Sequence, residues 1–102
     1  MKITIGIIDD HVLFTKSLSL MLDSFQVYDV VIEAQNGKDL QEKILQKKIV
    51  PSIMLIDVNM PIMNGPETAK WLHNTYPEMK LVALSMNDSD KIIIEMIKAG
   101  CC

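Results

Sequence analysis

Four side chains of this sequence have the types needed to work on a phosphoryl group: Asp9, Asp10, Asp57 and Ser85. A carboxylate oxygen is a competent nucleophile toward phosphorus and gives an acyl phosphate. Further carboxylates beside it repel one another unless a cation is bound. Such hard oxygen donors suit Mg²⁺, which takes one or two carboxylates, keeps several waters and leaves room for a phosphate. A serine hydroxyl can donate to the resulting oxyanion. Singly, each residue has a plainer reading. Asp57 would be a turn residue or a helix cap, Asp9 and Asp10 would cap a helix, and Ser85 would carry no signal. His11 and His73 read as solvated or capping residues, because no second His or Cys stands at a metal-binding spacing from either.

What brings the four together is the order of elements around them. The run "KITIGII" (2–8) is β-branched and apolar on both faces, as in a strand buried within a parallel sheet. In "HVLFTKSLSLMLDSF" the apolar stripe Phe14, Leu18, Met21, Leu22 and Phe25 predicts a helix with that stripe inward. "YDVVIEA" (28–34) is a second strand. A second helix follows in "NGKDLQEKILQKK", with Leu40, Ile44, Leu45 and Ile49 on its inner side and Pro51 as its stop. "SIMLIDV" (52–58) is a third strand ending on Asp57. Asn64-Gly65 then makes a sharp turn into a third helix, with Pro66 in its first turn and Ala69, Leu72 and Tyr76 inward. "MKLVALSM" (79–86) is a fourth strand. "NDSDKIIIEMIKAG" is a fourth helix, capped by Asn87 or Asp88 and closed by Gly100.

Strands alternating with helices over short loops predict right-handed crossovers and an α/β fold, a doubly wound parallel sheet. In such a sheet ligands bind at the carboxyl ends of the strands, near a switch in strand order. Asp9 and Asp10 follow the first strand, Asp57 closes the third and Ser85 closes the fourth. The fold therefore gathers all four at one edge.

Composition narrows the classes further. A chain of 102 residues with 49% apolar and 23% charged residues is a single globular domain. A net charge of −3 argues against a nucleic-acid surface on this segment. No apolar run approaches the roughly 20 residues a membrane helix needs, and the N-terminus lacks the form of a signal peptide. The only cysteines, Cys101 and Cys102, are adjacent, which predicts a reduced, cytoplasmic protein rather than a disulfide framework.

With these residues in view, the chain resembles the receiver domain of two-component response regulators. "IGIIDDH" is similar to the acidic-pair strand, "LIDVNMPIMNG" to the phosphoacceptor strand and loop, and "LVALS" to the strand that bears the switch hydroxyl. The run Asp-Asp-His-x-Leu-Phe (9–14) resembles the LuxR-type subfamily, whose output is a helix-turn-helix domain. The resemblance implies the flavodoxin-like receiver fold with strand order 2-1-3-4. It implies Asp57 as the site phosphorylated by a sensor histidine kinase and Mg²⁺ as cofactor. Asp10 would be a direct metal ligand, Asp9 would act through water, and Asn59 would contribute its backbone carbonyl. Ser85 would be the switch hydroxyl. Asn59 and Asn87 occupy positions that influence dephosphorylation.

The resemblance also carries an expected departure, since a receiver continues into a fifth strand and helix, the strand carrying a lysine that pairs with the phosphoryl group. Residues 1–102 are thus expected to form a C-terminally incomplete receiver domain. DNA binding would belong to a C-terminal domain outside this sequence. Self-association would use the side of the fourth helix, which is rich in isoleucine, or an exposed sheet edge. Two rival functions stand beside this one: a Mg²⁺-dependent phosphohydrolase using an aspartyl phosphate, and an interaction module independent of phosphorylation. Many such hydrolases need an acid two residues after the nucleophile; here that residue is Asn59.

Overall fold

A computed structural model describes residues 2–57, 63 and 65–84. Its elements run β1 (Ile3–Ile8), α1 (Val12–Ser24), β2 (Tyr28–Ala34), α2 (Gly37–Lys47), β3 (Ile53–Asp57), α3 (Gly65–Thr75) and β4 (Lys80–Leu84). The expected fourth helix lies outside the described residues.

The strands form one parallel sheet, as the alternation of elements predicts, in the order β2-β1-β3-β4 that the resemblance implies. The chain steps from β1 to β2 in one direction and then returns past β1 to β3. Right-handed crossovers on opposite sides of β1 place α1 on one face of the sheet and α2 and α3 on the other. The latter face holds the main core. Ile8, Ile32, Ala34, Met54, Ile56 and Leu81 of the sheet meet Leu40 and Ile44 of α2 and Ala69 and Leu72 of α3. Ile7, the strand neighbour of Ile8, is also fully buried, and alternation along the strand turns it to the α1 side.

On α1 the structure departs from the expected stripe. Phe14, Met21 and Phe25 are exposed, Leu18 and Leu22 are half-buried, and the buried residues are Thr15 and Ser19. The apolar arc of this helix is wide, taking in Leu13 at 84% and Leu20 at 73% exposure. Its periodicity therefore does not select the side that meets the sheet. The small Thr15-Ser19 row does, and the buried Thr15 hydroxyl is satisfied by donating to the His11 carbonyl at 3.2 Å.

Helix α2 is bounded by local chemistry. The Asn36 side chain accepts from the Asp39 N–H at 2.9 Å, and the Asp39 carboxylate accepts from the Gln35 N–H at 3.0 Å, a reciprocal cap. The helix ends at Lys47, ahead of the expected stop at Pro51. Lys48 adopts a left-handed conformation (φ 54°) and donates its N–H to the Ile44 carbonyl at 2.8 Å. Ile49, expected inward, lies beyond this end and is exposed, and Leu45, also expected inward, is on the exposed side of the helix, whereas Leu40 and Ile44 are buried as predicted. In α3, Ala69 and Leu72 are fully buried and Tyr76 packs against the core, in accord with the sequence.

Candidate functional site

The carboxyl edge of the sheet is where the acidic residues meet. Ile8 of β1 is in register with Ile56 of β3, so the residues that follow them, Asp9 and Asp57, emerge at the same level. Both are nearly buried, at 5% and 7% exposure. Asp10, one residue further on, is exposed. One ligand atom from each of Asp9, Asp10, His11 and Asp57 can be chosen so that all lie within 4.8 Å of one another.

Several backbone features hold this arrangement. The Asp9 N–H donates to the Ala34 carbonyl at 3.0 Å, which pins the exit of β1 to the end of β2. Asp9 Oδ1 then accepts the His11 N–H at 2.8 Å, closing a tight turn into α1. The opening turn of α1 is anchored by the Thr15 N–H, which donates to the His11 carbonyl at 3.0 Å. Across the site, Gly37 lets α2 approach α3 closely: a Cβ there would collide with the Thr68 hydroxyl and the Met63 side chain. The Gly37 N–H also donates to the Met63 carbonyl at 3.3 Å. Met63 is thereby tied to the start of α2.

His11 has a position the sequence reading did not foresee. It is the N-cap residue of α1, as a capping role predicts, yet its ring makes no cap hydrogen bond to the helix. Instead Nδ1 lies 2.9 Å from Asp9 Oδ1 and 3.1 Å from Asp10 Oδ1, while the side chain stays 72% exposed. The hydrogen bond to Asp9, followed by the charges of Asp10 and Asp9, raises the imidazole pKa above its ordinary 6.5. The only available signal was the adjacency of His11 to the acidic pair, and adjacency does not fix where a ring turns. Asn59, Ser85 and Asn87 lie outside the described residues. His73, on α3, is exposed and is not among the grouped ligands.

The donor set fits a small divalent cation. Asp9, Asp10 and Asp57 offer hard oxygen atoms, two of them on nearly buried residues, within a spread close to the roughly 4.2 Å between opposite ligands of an octahedral ion. Around the site the charges are mostly paired. Lys16 of α1 lies 3.7 Å from Glu33, and Lys43 of α2 lies 3.2 Å from Asp39 and donates to the Glu33 carbonyl at 2.6 Å. No helix among the described residues is long and apolar enough to cross a membrane.

Comparison with known proteins agrees with the geometry. The model of the response regulator receiver domain matches residues 5–102. The transcriptional regulatory protein DegU of Brevibacillus brevis is 35% identical over 99 residues, covering 97% of this chain and 41% of that protein. The transcriptional regulatory protein LnrK of Bacillus subtilis is 32% identical, covering 96% and 44% respectively. The chain thus spans less than half the length of these relatives. Among solved structures, the signal receiver domain of the NarL regulator from Mycobacterium tuberculosis superposes with a TM-score of 0.83 at 27% identity, covering 98% of this chain and 79% of that one. A CheY-like receiver domain protein from Methanospirillum hungatei gives 0.86 at 26% identity, covering 99% and 78%. The fold, the acidic edge and the family match converge on one conclusion: the chain belongs to the response regulator receiver domain family.

Proposed function

We propose that residues 1–102 are the phosphoacceptor portion of a two-component response regulator, with Asp57 as the residue phosphorylated by a sensor histidine kinase. The observation that carries this reading is the meeting of Asp9, Asp10 and Asp57 at the carboxyl edge of the sheet in a chain of this family. An Asp57 oxygen attacks phosphorus, the P–N bond of the donor phosphohistidine breaks as the new P–O bond forms, and the imidazole leaves. Asp9, Asp10, Asp57 and the backbone carbonyl of Asn59 would hold Mg²⁺. When bound, the ion offsets the negative charge shared by the carboxylates and the phosphoryl oxygens. Ser85 donates its hydroxyl to a phosphoryl oxygen and so couples phosphorylation to the chain that follows β4. Asn59 and Asn87 act on the lifetime of the aspartyl phosphate.

The output belongs to sequence outside these residues. Both relatives described above are transcriptional regulators more than twice as long as the matched segment, and this supports a DNA-binding output of the LuxR type. A regulator served by a sensor kinase works in the cytoplasm, and its self-association would use the β4 edge or the segment after it. Turnover as a phosphohydrolase is disfavoured by Asn59, which offers no acid two residues after Asp57.

The test uses beryllium trifluoride, the phosphomimetic of solved receiver structures. In the presence of Mg²⁺, fluorine NMR of the chain should give protein-bound resonances that are absent from Asp57→Asn. Absence of bound resonances from the folded wild-type chain would contradict the assignment of Asp57.

A further inference from the structure

We propose that the end of the sheet where the strands begin, opposite the acidic edge, is a self-association surface for a second copy of this chain. It is separate from the β4 edge and from the site at Asp57. The four strands start side by side there. The Ile3 N–H donates to the Val27 carbonyl at 2.8 Å, the Ser52 N–H to the Thr4 carbonyl at 3.1 Å, and the Lys80 N–H to the Ser52 carbonyl at 3.0 Å. These bonds run across the amino end of the sheet from the start of β2 through β1 and β3 to β4. Along that row the chain leaves large apolar residues in water. Ile3, Phe25, Val27, Ile49 and Val50 are between 40% and 57% exposed. Scattered singly, such residues need no explanation; gathered at one end of a domain, they mark a contact surface.

The relief of this end fits the same assignment. Beside Val50 a groove of about 560 Å³ opens, with Tyr76 and Pro77 along it and the buried Pro51 and Met79 also lining it. Phe25 is held in place on the surface. Its N–H and that of Gln26 donate back to the Leu22 and Asp23 carbonyls, each at 3.2 Å, and its ring meets Tyr28 edge-on with centroids 6.4 Å apart. Phe25, Tyr28 and Tyr76, three of the five aromatic residues of the chain, thus gather here, and aromatic side chains anchor protein interfaces. The charges decide the partner. Lys2, Lys47, Lys48 and Lys80 stand among Asp23, Asp29 and Glu78, so both signs are nearly balanced here although the whole chain carries −3. A surface with one sign in excess calls for a partner of the other sign. A mixed surface is complementary to its own copy across a twofold axis. Such a pair leaves both acidic edges facing outward, each open to its phosphoryl donor.

Sedimentation equilibrium of the chain tests this, under reducing conditions that keep Cys101 and Cys102 from cross-linking copies. It should show a reversible monomer–dimer equilibrium. Val27→Asp and Val50→Asp each place a carboxylate in the contact and should weaken the dimer by about tenfold or more. Both positions are exposed, so the far-ultraviolet circular dichroism of each variant should match the wild type. Leu13→Asp, at the start of α1 beside the acidic edge, should leave the dimer unchanged, and so should Val82→Asp on β4. A chain that stays monomeric at millimolar concentration would overturn the proposal. So would a dimer that Val27→Asp and Val50→Asp leave intact, and loss of that dimer in Val82→Asp would place the contact at β4 instead.

Discussion

Ile8 of β1 and Ile56 of β3 are partners in a parallel register, and this single pairing sets Asp9 and Asp57 side by side at the edge of the sheet. Neither carboxylate owes its position to a flexible loop. Each is the residue directly after a buried isoleucine, and a slip of one residue would turn the whole strand face over. The meeting of these two carboxylates is therefore a property of strand pairing, and it holds wherever the core is intact.

A ligand that binds the folded chain alone must stabilise it. At a free Mg²⁺ concentration a hundred times the dissociation constant, the gain is about 2.7 kcal/mol. Thermal unfolding with and without Mg²⁺ should show a rise in Tm for the wild type. Asp9→Asn/Asp10→Asn should lose that rise, because the neutral amides remove the charge that holds the ion.

The contacts of His11 predict its titration. In the metal-free chain its ring should titrate above 6.5, and Asp9→Asn should bring the midpoint down, since the hydrogen bond to Asp9 is the largest contribution. A raised folded-state pKa adds stability that is present below 6.5 and lost as pH rises through the folded value. With the ring so exposed, that contribution is screened. The proton chemical shift of the imidazole, followed against pH, is the measurement that checks the direction.

The two apolar helix surfaces predict opposite responses to truncation. Leu40 is fully buried in α2, so Leu40→Ala should cost about 2–5 kcal/mol in urea unfolding. Leu13, on α1, is largely exposed, and Leu13→Ala should stay within about 0.5 kcal/mol of the wild type. A large loss at Leu13 would mean that the face of α1 bearing it is covered.

Lys48 holds a left-handed backbone at the end of α2, which for a residue with a Cβ costs roughly 1–2 kcal/mol. Lys48→Gly should relieve that strain and raise stability by about 1 kcal/mol, offset in part by the greater freedom of glycine in the unfolded chain. Equilibrium urea unfolding measures it.

The sequence was most legible where hydrophobic pattern and strand order act together. The apolar runs before Asp9 and Asp57 had to be buried, and burial in a parallel sheet left the aspartates one edge to occupy. The α2 boundary was legible only at its start, in the polar run that opens at Asn36; the Asn36–Asp39 cap is a finding of the structure. Its end depends on a left-handed Lys48, a conformation for which lysine gives no signal. The seating of α1 was illegible because its apolar residues surround most of the helix, and the choice fell to the small residues Thr15 and Ser19. The turn of the His11 ring onto Asp9 and Asp10 depends on a side-chain torsion and a local backbone turn, which spacing along the chain does not encode.

The central claim is that Asp57 accepts a phosphoryl group. Its most direct test is the intact mass of the chain after incubation with a small acyl-phosphate donor, with and without Mg²⁺, beside Asp57→Asn. A Mg²⁺-dependent phosphoryl adduct on the wild type, missing from Asp57→Asn, is the predicted result. An adduct of equal yield on Asp57→Asn, or none on a folded wild-type chain that binds Mg²⁺, would contradict it.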